Sequence, residues 1–252
     1  MPIQAATYKR EKTWAPEVRL APGPRAMADT GDGSYRTLYG YAWALVLDPA
    51  NSLRLFQAQV PGEGPWPLSD PRGPEAAVWV EVNIPPIPHD PREIRHIALC
   101  FDQSARHVMA YERQGQVWVR QWDPVIQTFI MRGPFPGVDP LLIQDATVGF
   151  FPPDSDVLLF HLSPDRTRLI MRVQREQFGV EHVIQAFGEP VLLDQAVALP
   201  YHLELLGSFV SDPKATGVVV RSDHYPIYIS DIVGTATFTS PTTGSYVPVV
   251  IV

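Results

Sequence analysis

The chain has 252 residues, 45% of them hydrophobic and 19% charged, which supports a sizeable core and excludes wholesale disorder. Its net charge is −7, and its 17 Arg and 3 Lys are scattered rather than clustered, so a phosphate-tracking surface and a nucleic-acid partner are not expected. The 27 prolines are about twice the usual share of roughly 5%, and they remove backbone donors so often that few windows long enough for a helix remain.

Met1 to Arg10 hold no apolar signal-like run, and no stretch of about 18 apolar residues occurs anywhere, so neither standard secretion nor a membrane span is expected. Residues 1–38 carry few periodic apolar positions and many breakers, as in Ala21-Pro22-Gly23-Pro24. They read as an extended N-terminal arm whose anchors, Trp14, Val18 and Leu20, dock elsewhere; a disordered terminus is the alternative.

From Tyr39 onward, short β-branched and aromatic runs alternate with turn chemistry, the signature of strands and hairpins. Three hairpins read alike, each closing on a polar turn: Ala44–Leu47 with Leu53–Phe56 around Asp48, Ala98–Phe101 with His107–Tyr111 around Asp102, and Leu158–Leu162 with Arg168–Met171 around Asp165. Third strands are expected at Val78–Val82, Val117–Trp122 and Val180–Ile184, and fourth runs at Thr128–Met131 and Val191–Leu193. A less clear unit spans Gly217 to Ile229. A unit of three or four strands recurring in this way predicts an all-β, propeller-like body of repeated antiparallel sheets over residues 39–232. Trp66, within Gly64-Pro65-Trp66-Pro67, reads as an exposed anchor, whereas Trp79, Trp118, Trp122, Tyr111 and Phe129 read as core with a sugar- or protein-binding face as the alternative. Cys100, the single cysteine, reads as a buried thiol.

Residues 233–252 form a Thr/Ser/Gly-rich tail ending in the β-prone run Val247-Pro248-Val249-Val250-Ile251-Val252. Left unpaired, such a run is an aggregation hazard, so a terminal strand with Val249 and Ile251 at an interface is expected.

Two resemblances follow from these residues. Leu162-Ser163-Pro164-Asp165-Arg166-Thr167-Arg168-Leu169-Ile170 resembles the Ser-Pro-Asp-Gly-x-x-Leu turn of bacterial propeller repeats related to the WD family, with Arg166 in place of glycine. The stretch Asp156 to Ala186 is similar to repeats in tail and virion proteins of tailed bacteriophages. That likeness implies a non-enzymatic, tail-associated structural protein of the virion, assembled in the host cytoplasm and contacting copies of itself and other virion proteins through its termini. It transfers no catalytic residue.

The chemistry of the side chains offers no standard alternative. The seven His show no zinc spacing with the lone Cys, and no phosphate-binding glycine loop or nucleophile elbow is present. No cofactor, metal or catalytic residue is expected, and Asp154-Ser155-Asp156 and Asp29-Thr30-Gly31-Asp32-Gly33 read as plain turns rather than calcium loops. The competing readings are a carbohydrate-binding, receptor-binding module with a glycan partner, or a glycosidase drawing two carboxylates from Glu81, Glu112, Asp123, Glu181 and Glu204.

Overall fold

The structure is a computed structural model that describes residues 17–22, 42–48, 52–60, 64–65, 78–102, 106–144, 157–199, 202–213 and 217–222. These residues form four antiparallel sheets in chain order. The first contains β1 (Glu17–Pro22), β2 (Ala42–Asp48), β3 (Ser52–Val60), β4 (Gly64–Pro65) and β5 (Val78–Val82), with β4 and β5 both paired to β3. The second is the meander β6 (Ile94–Phe101), β7 (His107–Arg113), β8 (Gln116–Asp123) and β9 (Thr128–Pro136). The third is β10 (Val138–Gln144), β11 (Val157–Leu162), β12 (Arg168–Val173) and β13 (His182–Ala186), and the fourth is β14 (Val191–Leu199), β15 (His202–Phe209) and β16 (Gly217–Ser222). The all-β class and the repeated antiparallel sheets are thus present. No closed barrel or propeller is found among the described residues.

The three expected hairpins form, and two of their turns, at Asp102 and at Ser163–Thr167, are held by their own side chains. Asp102 Oδ1 accepts from the Arg106 amide at 2.9 Å, and the Ser163 hydroxyl donates to Asp165 while its oxygen accepts from the Arg168 amide at 3.0 Å. The β7–β8 turn has positive φ at both Gln114 (53°) and Gly115 (73°), the two-residue turn whose twist matches its strands.

Several strands depart from the sequence reading, and β4 and β15 form where no run was expected. β1 lies inside the segment read as an arm: Val18 pairs with Val46 and Leu20 with Ala44, so both belong to the first sheet. β10 was not expected, because Asp139 and Pro140 interrupt it and shift its register between Val138 and Leu141. Val191–Leu193 opens the fourth sheet through β14 instead of closing the third, since β13 already occupies the third sheet's outer edge. The chain between them is held back on the Ser163–Thr167 turn, by Phe187 N–H to the Thr167 carbonyl (2.7 Å) and Val191 N–H to the Arg166 carbonyl (3.0 Å). Cys100 is buried, as expected, whereas Trp14, Trp66, Val249, Ile251 and both turns weighed as calcium loops lie outside the described residues.

The strand sequences account for the stacking. β11 is buried along its whole length, and β7 and β12 along most of theirs, because a sheet covered on both faces needs continuous rather than alternating apolar residues. Leu45, Leu47, Leu53 and Leu55 of the first sheet pack on Leu99, Met109 and Tyr111 of the second. The opposite face of the second sheet, with Ala98, Cys100, Val108, Val117 and Val119, packs on Leu142, Val157 and Leu159 of the third. Leu141, Leu158, Phe160 and Met171 then meet Val191, Leu193 and Leu205 of the fourth. Gly137, between β9 and β10, is required by this closeness: a β-carbon there would overlap the His161 ring and the Leu162 carbonyl.

Candidate functional site

The first strands of successive sheets run beside one another, β6 against β10 and β10 against β14. Each of these three has a break in register, between Arg95 and Ala98, Val138 and Leu141, and Leu193 and Gln195. A bulge inserts an unpaired residue and re-aims its side chain. The first two bulges carry a polar residue in the left-handed region, His96 (φ 48°) and Asp139 (φ 52°), and Asp194 stands at the third.

The bulges gather a polar node. The Asp139 carboxylate is fully buried, takes Arg166 Nη1 at 2.5 Å and Nη2 at 3.3 Å, and accepts the Leu193 amide at 3.2 Å. The Asp139 amide donates to Glu112 Oε2 at 3.2 Å, and His96 Nε2 lies 3.8 Å from Glu112 and 3.5 Å from Asp139. Strands β6, β7, β10 and β14 and the β11–β12 turn therefore meet at one point, which ties the second, third and fourth sheets together.

His96, Glu112 and Asp139 each offer a ligand atom within 4.8 Å of the others, the donor set a divalent cation would use. Arg166 already provides a cation against Asp139, and both Asp139 oxygens accept its N–H groups. The same contacts bear on the glycosidase reading. A carboxylate that is wholly buried and held by a guanidinium and a backbone amide has no oxygen facing a substrate, and retaining enzymes need two carboxylates about 5 Å apart with both open to the sugar.

The other carboxylates singled out in the sequence are dispersed. Glu81 is held by Arg54 through both oxygens (2.8 and 2.5 Å), which lowers its pKa from the ordinary carboxylate value. Asp123 Oδ1 accepts the Val125 and Ile126 amides at 2.9 and 3.3 Å, and its other oxygen lies 3.5 Å from Arg132. Glu181 receives Arg172 Nη2 at 2.9 Å. Glu204 is on β15, with its side chain outside the described set. Only Glu112 enters the node, beside three residues the sequence reading had not singled out as a site. Arg166 in place of the turn's glycine was the one signal pointing there. Of the aromatics, Tyr111 is core and Trp118 packs against the layer between the first and second sheets, while Trp122 and Phe129 are half-buried and meet edge-on at 5.3 Å. Trp79 lies on β5 with its side chain outside the described set.

Comparison with known proteins finds no matching family model, curated protein or solved structure.

Proposed function

We propose that the chain is a non-catalytic structural protein of a tailed-phage virion, tail-associated, which contacts copies of itself and other virion proteins through its outer edges and terminal segments. The observation that carries the assembly part is the distribution of apolar side chains on the rim. Val125 (86% exposed) and Ile126 (60%) stand at the β8–β9 tip, in a turn fixed by Pro124 and the Asp123 cap. Val183 is exposed on β13, at the outer edge of the third sheet, and Val180 is exposed just before that strand. Short, branched aliphatics on a fixed turn lose little side-chain entropy on docking and favour contact with another surface. The polar node supports the same reading, because its ionisable groups link sheets. The phage context rests on the resemblance of Asp156 to Ala186.

The test is the mass of the full chain by light scattering after size exclusion, beside chains lacking residues 1–16 or 247–252 and beside the double variant V125D/I126D. Residues 17–22 are retained in the first truncation because β1 is part of the first sheet. The expected result is an oligomer that at least one alteration reduces to a folded monomer. Four identical monomers would overturn self-assembly.

A further inference from the structure

Two buried arginines occupy matching surroundings in successive layers of the stack. Between the second and third sheets, Arg172 (4% exposed) donates Nε to His161 Nε2 at 3.1 Å and lies over the Phe135 ring at 4.4 Å. Its remaining groups are satisfied by the Phe178 and Gly179 carbonyls at 3.2 and 3.3 Å and by the Glu181 carboxylate at 2.9 Å on Nη2. On the opposite face of the second sheet, Arg120 (3% exposed) repeats the first half of this arrangement: Nη1 donates to His107 Nε2 at 3.2 Å, and the guanidinium lies over Phe129 at 4.4 Å. The second half is missing. Arg120 Nη2 is buried and has no hydrogen-bond partner.

A second cation stands on the same aromatic pair. Arg106 lies over Trp122 at 4.7 Å, and Trp122 meets Phe129 at 5.3 Å. Asp102 Oδ1 accepts the Arg106 amide at 2.9 Å, but among the described residues no carboxylate forms an ion pair with the Arg106 or Arg120 guanidinium. A guanidinium keeps its charge at any accessible pH, and leaving one buried without a counter-charge costs several kcal/mol. The Phe129 face offsets only about 2 kcal/mol of this. His107, stacked on Phe129 at 4.3 Å and accepting from Arg120, offsets none of the charge.

We propose that the layer between the first and second sheets holds an oxyanion site at Arg120, in which a small carboxylate supplies to Nη2 what Glu181 supplies to Arg172, with Arg106 as the second cation and Trp122 and Phe129 as the apolar wall. The site is independent of the assembly reading: it requires a ligand, not a neighbour.

The experiment titrates the full-length chain with sodium acetate, sodium succinate, sodium phosphate and sodium sulfate against sodium chloride at matched ionic strength, following the unfolding midpoint and the heat of binding. A saturable rise with either carboxylate, absent in R120M, supports the proposal. A rise with phosphate or sulfate alone retains the oxyanion site and assigns it a tetrahedral ligand. R106Q, at a half-buried position, should bind on the order of tenfold more weakly while folding as the parent does. Stabilisation no greater than that of chloride, or equal in R120M and in the parent, overturns it. Should R120M not fold, the same comparison is made with R106Q and R120K, and undiminished binding in both overturns the site.

Discussion

Arg166 shows how one substitution in a common turn can build a buried node. Its backbone has φ 64°, a left-handed conformation that costs a residue with a β-carbon about 1 kcal/mol, and the turn it resembles places glycine there. The guanidinium repays the strain by binding the buried Asp139 carboxylate. R166A should therefore lose about 3 kcal/mol, since it strands a buried charge, whereas R166G loses the same pair but relieves the backbone and should be about 1 kcal/mol less destabilised. Urea midpoints of the two variants check this, and coincident midpoints would refute the strain account. His161 makes a second prediction at this scale. It is fully buried, Nε2 accepts from Arg172, Nδ1 faces the Leu162 carbonyl at 3.1 Å, and desolvation lowers its pKa to about 4. The unfolded chain takes up this proton near pH 6.5, and the folded chain resists it. The His161 contribution is thus full above pH 6.5, falls as pH drops toward 4 and is level below, a loss of roughly 3 kcal/mol. Unfolding measured from pH 7.5 to 4 should show a shallower fall in H161Q than in the parent, and parallel curves would exclude the assignment.

At the scale of elements, the strands that were legible are those with unbroken apolar runs. Leu158–Leu162 and Arg168–Met171 read correctly because both faces of the third sheet are covered, so the run itself carries the signal. Two of the missed strands have a local feature opposing the strand pattern: β10 contains Asp139 and Pro140 at its bulge, and β1 sits among prolines and glycines. The polar node was illegible for a related reason. Its residues lie on separate strands and a turn, 27 positions apart from Glu112 to Asp139 and again from Asp139 to Arg166, and the bulges and the β11–β12 turn bring them together. Glycines test the packing between elements. G137A places a β-carbon into His161 and the Leu162 carbonyl, an overpacking expected to cost 1–3 kcal/mol or more. G115A meets nothing within 4 Å, so only its φ of 73° opposes the change, for about 1 kcal/mol. Thermal unfolding should rank G137A below G115A; the reverse order would mean that the β9–β10 junction yields easily.

For the whole molecule, the stack behaves as a chain of neighbours. Each apolar cluster joins two consecutive sheets: Phe160 belongs to the one between the third and fourth, Met109 to the one between the first and second. In such a series stability is a sum of units and nearest-neighbour interfaces, so damage should spread to adjacent sheets and fade beyond them. F160A removes a fully buried ring and should cost about 3–5 kcal/mol. Its effect on amide hydrogen exchange should be large in β11, β12 and β15, smaller in β7 and β8, and least in β2 and β3. M109A should give the mirror pattern, strongest in β2, β3 and β7. The polar node opposes this fading, because it ties the second, third and fourth sheets at one point. D139N weakens that tie without removing apolar area, so in the D139N background the F160A effect should be confined more tightly to the third and fourth sheets. Equal loss of protection in β2 and β11 after F160A would show instead that the four sheets share one cooperative core.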